Sequence, residues 1–166
     1  MDDRGHGPLQ LDATPDVLTF TVSVDAGVGP LQVNWRPVVL SYINVGKDKG
    51  WYYQAGGGAN IPLTVLELNK ILNIKSGSSV TVGANFGYVF GGDASKLTKN
   101  ALSGLSFGGS ASGGELLYGG VNGSATQLKS GGYLISVGGQ IGIGYGGNIS
   151  VTGSGLINTD ATKINF

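Results

Sequence analysis

The 166-residue chain has no cysteine and a single histidine. The first absence removes disulfides, thiolate metal sites and cysteine nucleophiles together. The second removes histidine-rich metal centres and any mechanism that needs two imidazoles, so no metal site is expected. Charge is scarce: ten Lys and Arg balance ten Asp and Glu, 12% of the residues. With no net field to gather phosphates, no extended nucleic-acid-binding surface is expected. No run approaches about 18 uninterrupted apolar residues. The start, Met1-Asp2-Asp3-Arg4-Gly5-His6, lacks the apolar segment of a secretory signal.

Glycine is abundant instead, 32 of 166 residues, nine before residue 77 and 23 from it onward. All five prolines lie within the first 62 residues, so the two halves are built differently. From Val17, Leu18, Phe20, Val22 and Val24 alternate with Thr19, Thr21, Ser23 and Asp25, the pattern of a half-buried strand. Ala26-Gly27-Val28-Gly29-Pro30 breaks it, and a second run follows from Leu31 to Val45. Pro37 cannot donate to a ladder, which makes this run an edge strand or one with a bulge. Gly46-Lys47-Asp48-Lys49-Gly50 then reads as the loop of a hairpin leading into Trp51-Tyr52-Tyr53.

Pro62 opens the one convincing helical pattern, over residues 63–75, with Val65, Leu68, Ile71 and Leu72 at helical spacing. A shorter helical piece is expected around Ser95 to Leu102, with Ser95 as its cap. After Ser79 the period is two again, through Val80, Val82, Phe86 and Phe90, through Leu105 and Phe107, and from Tyr133 to Val151, where Gly138-Gly139 or Gly146-Gly147 should mark a turn or bulge. The expected fold is all-β, mainly antiparallel and glycine-rich, a barrel or a sandwich, with that one short helix. Residues 1–16 read as a flexible N-terminal segment or linker remnant and 17–166 as a single domain.

In these strands one face is bulky and the other nearly bare, although interior glycine costs about 0.5–1 kcal/mol relative to alanine. A coiled sheet or small barrel that needs bends, a close approach by a second sheet or ligand, and a sheet that inserts into a membrane each account for this. The chain ends in Phe166, but Asp160 and Thr162 occupy alternate positions, so the final-strand signal of an outer-membrane barrel is not met.

Several constellations bear on chemistry. Asp3-Arg4-Gly5-His6 resembles the core of the ββα-metal endonucleases, in which the histidine activates water, but Pro8, Pro15 and a β-patterned run stand where the family's strand and helix should follow. Gly142-Ile143-Gly144-Tyr145-Gly146-Gly147 has dinucleotide-loop spacing without the helix that spacing requires. Trp51, Tyr52 and Tyr53, with Trp35 and Tyr42, form a candidate stacking platform for a sugar, lipid headgroup or base. Arg36 is the candidate clamp for an anion. Glu115, with Asp93 or Asp25, is the candidate acid–base pair. The catalytic candidates are thus His6, Arg36, Asp93 and Glu115, and no motif names a cofactor.

Ser41-Tyr42-Ile43-Asn44-Val45-Gly46, then Gly50-Trp51-Tyr52-Tyr53, followed by glycine-rich alternating strands, resembles the C-terminal β-rich tips of bacterial polymorphic toxins carried on Rhs-repeat or contact-dependent inhibition proteins. The resemblance implies a domain delivered into a rival cell as part of a larger carrier and neutralised by a cognate immunity protein. Tips of this kind include nucleases, NAD-consuming enzymes and membrane-disrupting modules, and no catalytic motif carries over. Two other readings stand beside the toxin: a non-catalytic carbohydrate- or ligand-binding module, and a pore-forming or membrane-inserting sheet that contacts lipid. Whether the chain is an enzyme, and how many copies assemble, are open at this stage.

Overall fold

The computed structural model describes residues 14–28, 31–62, 78–114, 116–144 and 150–166. Nine strands follow in order: β1 (Val17–Val28), β2 (Leu31–Ile43), β3 (Gly50–Pro62), β4 (Ser78–Phe90), β5 (Gly104–Gly114), β6 (Leu117–Gln127), β7 (Tyr133–Gly144), β8 (Ser150–Asn158) and the two-residue β9 (Thr162–Lys163). All pair antiparallel in one sheet. The sheet curls until its ends meet, because β2 pairs with both β1 and β3, and β3 with β8. Eight strands therefore close into a barrel, with β9 lying along Tyr52 and Tyr53 of β3.

Consecutive strands are not always neighbours. The hairpins β1-β2-β3 are followed by β4, which returns to lie beside β1, and β5-β6-β7 by β8, which returns beside β5. Each set of four is a Greek key. Followed one way round the ring, Val17 pairs with Ile43, which pairs with Gly50. Followed the other way, its row passes through Gly87, Ser136, Ser124, Gly108 and Ser154 to Asn60, ten residues further along β3 than Gly50. That stagger tilts the strands by roughly 40°, within the range usual for closed barrels.

The apolar core is not in the middle of this barrel. It gathers at one end, where Val17, Ile43, Tyr52, Val89 and Leu134 of the strand ends meet Ala94, Leu97 and Leu102 of the β4–β5 connection, with Leu128 and Ala161. We call this end the plug. Asp93, not Ser95, caps its first 3-10 turn: the Asp93 carboxylate accepts from the Ser95 N–H at 2.9 Å. In place of one helical piece there are two 3-10 turns, Ala94–Lys96 and Lys99–Leu102, since four or fewer residues per turn suffice to drop Ala94 and Leu102 into the core. Gln54 Nε2 donates to the carbonyls of Leu102 and Thr159, both at 2.8 Å, and so ties the plug to β3. Asp16, from the segment expected to be flexible, is buried, and its carboxylate accepts from the Val89 N–H at 2.9 Å.

Other expectations resolve strand by strand. β1 continues through Ala26 to Val28, because its pairing with β2 is maintained to Leu31. The register shifts between Arg36 and Val39, the bulge that Pro37 requires. β7 runs unbroken through Gly138-Gly139 to Gly144. The helix expected over 63–75 lies outside the described residues, and Pro62 closes β3.

Glycines inside the barrel are steric necessities. A Cβ on Gly138 would meet the Asn85 carboxamide oxygen and the Ala84 carbonyl, whereas one on the outward Gly119 would meet nothing within 4 Å. We expect Gly138→Ala to destabilise the fold by about 1–3 kcal/mol and Gly119→Ala to be neutral or mildly stabilising. Denaturant unfolding of both variants followed by circular dichroism checks this; equal midpoints would contradict the packing.

Candidate functional site: an apolar belt around a polar lumen

Strand alternation places two unlike surfaces on the barrel. Outward stand Phe20 on β1, Val33 and Trp35 on β2, Tyr53 on β3, Val80, Val82 and Phe86 on β4, Phe107 on β5, Val121 on β6, Ile135, Val137, Ile141 and Ile143 on β7, and Ile157 on β8, all exposed. Every strand of the ring contributes, and Ile141 is 72% exposed. Water-soluble monomers rarely leave so extended an apolar surface open. From Val80 to Phe90 the outward face of β4 spans roughly 25 Å along the barrel axis, given about 3.3 Å per residue and the strand tilt. At the plug end this belt finishes in Tyr42, Trp51, Tyr53, Tyr88 and Tyr133. Trp51 stacks on Phe20, centroids 6.4 Å apart, and meets Tyr42 at 5.2 Å.

The inward surface is polar and small. Thr19 and Ser41 hydroxyls lie 3.1 Å apart, and Ser23 and Thr81 hydroxyls 2.7 Å apart. Of the twenty charged residues only Asp25 and Arg36 fall within β1–β8, and both face inward. Asn34 links them: its Nδ2 donates to Asp25 Oδ1 at 2.6 Å, and its Oδ1 accepts from Arg36 Nε at 2.9 Å. Burial pushes the Asp25 carboxyl above the usual carboxylate range, partly countered by hydrogen bonds from Asn34 and Ser79 and the charge of Arg36. Burial likewise lowers the Arg36 guanidinium, while Asp25 opposes that shift. Arg36 also borders a cavity of about 70 Å³ lined mostly by hydroxyls and carboxamides, Thr21, Ser106, Asn85 and Asn158 among them, with Val17, Leu102 and Leu134 on its apolar side. The Oδ1 atoms of Asn85, Asn122 and Asn158 are buried without a protein donor. Gly138 and Gly56 leave the space that the Asn85 and Asn158 carboxamides occupy.

The expected stacking platform is divided by the strand's own alternation. Tyr52 points inward, 2% exposed, its hydroxyl donating to the Asp48 carbonyl at 2.8 Å. Trp51, Tyr42 and Tyr53 point outward, the Tyr53 hydroxyl donating to the Pro37 carbonyl at 2.9 Å. Trp35 is outward too, but its pairing with Gly57 sets it toward the other end of β2 from the Tyr42–Trp51 pair. Arg36 lies in the lumen. Asp93 sits at the plug, its carboxyl held below the usual range by the Ser95 hydroxyl and N–H. Asp25 and Asp93 are thus at opposite ends of the barrel, and His6 and Glu115 lie outside the described residues. Among the described residues no three His, Cys, Asp or Glu side chains converge on a metal-sized site. Sequence reasoning saw that one strand face is bulky and named membrane insertion among its explanations, but not that the bulky face turns outward around a closed ring; the further signal was the absence of charge from the strands, which needs strand boundaries to be seen.

Comparisons with protein-family models, with curated proteins and with solved structures found no match.

The lumen pair generates a pH dependence. A carboxyl whose folded pKa is raised is more protonated folded than unfolded, so its contribution to stability grows as pH falls through the folded pKa and levels off below the unfolded value. We expect wild type to gain stability relative to Asp25→Asn as pH falls from neutral into that acid range, as measured by unfolding titrations of both proteins. A pH-independent difference would exclude a raised Asp25.

Proposed function

We propose that this domain is a membrane-inserting β-barrel whose apolar belt faces lipid and whose polar lumen is shielded from it. The observation that carries the reading is the inverted polarity of a closed ring. Large apolar side chains stand outward on all eight strands, and the strand charges, Asp25 and Arg36, stand inward. Three quantities support it. The strands of the ring, 9 to 13 residues long, match or slightly exceed the ~9–11 that a tilted transmembrane strand needs. The belt of roughly 25 Å has the height of a barrel's lipid-facing band. Ring closure leaves no unpaired sheet edge in hydrocarbon, where each unsatisfied backbone group would cost several kcal/mol.

An eight-stranded ring has an interior that side chains nearly fill, and here a plug closes one end. The reading is therefore of an inserted barrel and not a wide pore. It accords with the membrane-active class of delivered toxin tips that the sequence resemblance implies, and in that setting the belt is what a cognate immunity protein would have to cover. The sugar- or base-binding platform draws less support, because Tyr52 is committed to the core.

We expect the protein, refolded from denaturant in the presence of phospholipid vesicles, to float with them and to resist extraction at alkaline pH. Vesicles loaded with a small fluorescent dye should retain it. Val137→Lys, a charge near the middle of the belt, should disfavour insertion by about 2–4 kcal/mol, whereas Ser136→Thr on the lumen side should insert normally. A monodisperse, water-soluble monomer that never associates with vesicles would rule the reading out.

A further inference from the structure

We propose that the lumen is a binding site for water, and that the carboxamides of Asn85, Asn122 and Asn158 hold a small internal water cluster over two glycine seats. The inference concerns only the inside of the ring and does not depend on the membrane-inserting reading. The Oδ1 atoms of these three residues are buried and accept no hydrogen bond from another protein group among the described residues. A buried carboxamide oxygen needs a donor. The orientation of two of the carboxamides is fixed by their other atom. Asn122 Nδ2 donates to Gln140 Oε1 at 3.4 Å and Asn158 Nδ2 to the Leu102 carbonyl at 3.3 Å, so it is oxygen that is left to be satisfied.

Register sets the acceptors around shared gaps. Asn85 and Asn122 are the two cross-strand partners of Gly138, and Arg36 and Asn158 are those of Gly56. Neither glycine fills the space between its partners. The Asn85 and Asn158 oxygens lean over that space, where a Cβ on Gly138 or on Gly56 would collide with them. Asn85 and Asn158 both border the cavity, and Asn122 stands two residues from the lining Ser124 on the same face of β6. Hydroxyls of Thr19, Thr21, Ser106 and Ser136 complete the wall, and each can turn to donate or to accept.

The chemistry of the wall selects its occupant. An anion is disfavoured, because the unpartnered groups are all acceptors. A metal ion is disfavoured too: no carboxylate lines the cavity, and the Arg36 guanidinium that borders it repels a second positive charge. An apolar guest would leave the carboxamide oxygens unpaired. A small neutral molecule that both donates and accepts meets every demand. At on the order of 30 Å³ per water, a cavity of about 70 Å³ has room for about two. The plug closes one end of the lumen, so these waters exchange with bulk more slowly than surface waters do.

The test uses the full isotope-labelled chain, folded in detergent micelles or, should it be water-soluble, in buffer. Magnetic relaxation dispersion of the water signal should reveal roughly two waters per protein that outlast molecular tumbling. The Asn85 and Asn158 side-chain amide protons should show nuclear Overhauser effects to water, and neither sodium chloride nor dissolved xenon should shift their resonances saturably. In the variant combining Asn85→Leu and Asn158→Leu the slow-water amplitude should fall by about half or more. Absence of slow waters in the wild type would overturn the proposal, as would an unchanged amplitude in the variant. A saturable shift with sodium chloride would overturn it in favour of an ion site, and one with xenon in favour of a dry cavity. The wild-type readouts decide the question even where the double variant does not fold.

Discussion

The structure depends on ring closure, and above all on the pairing of β2 with β3 and of β3 with β8. A sheet whose two ends hydrogen-bond to each other satisfies its backbone polar groups internally, so the chain has no need of an apolar interior to drive the strands together. That independence is what permits the inverted polarity. Side chains inside can be hydroxyls, carboxamides and glycines, and those outside can be Val, Ile, Phe and Trp, without either arrangement orphaning the backbone. The small apolar core at the plug has a different task. Tyr52, Leu97 and Leu102 close one end and hold the β4–β5 connection in place, assisted by the two hydrogen bonds of Gln54.

Much of the fold was legible in the residues. Alternation from Val17, around the Pro37 irregularity, in the Val80 to Phe90 segment, at Leu105 and Phe107 and from Tyr133 onward located five strands, and the Gly46 to Gly50 loop located a hairpin. The closed ring was not legible, because its decisive pairs, β1 with β4 and β3 with β8, join segments far apart in sequence that no local pattern connects. The 3-10 turns of the plug were read as one helical piece from Ser95 to Leu102, with Ser95 as its cap. In the folded chain those positions serve a connection that must drop apolar groups into the barrel end twice within a few residues.

The candidate site was harder to read for a physical reason. Periodicity reports that two faces differ, but not which of them is inside. Bulky residues at Phe20, Val82 and Ile141 look like core in any soluble protein, and the glycines opposite them look like gaps. Only the registry explains them: Gly138 lies beneath the Asn85 carboxamide and Gly56 beneath that of Asn158, so the bare face is the concave one, where curvature crowds the side chains. For the same reason Trp51, Tyr52 and Tyr53, adjacent as letters, are shared between outward surface and core. Arg36, singled out as an anion clamp, lies in the lumen, linked through Asn34 to Asp25.

The double Greek key bears on how such a barrel could come to be embedded at all. In an up-and-down barrel each hairpin can enter the bilayer beside the last, every new strand finding its neighbour already in place. Here β4 must wait for β1 across two intervening strands, and β8 joins β5 to β3 only after both four-strand sets exist. A half-assembled ring would present open edges to hydrocarbon. On the proposed membrane-inserting reading, entry strand by strand would therefore be disfavoured, and the last steps of pairing and the passage from water to lipid would become a single event, slow because its contacts are distant in sequence and sensitive to anything that stabilises the open sheet beforehand.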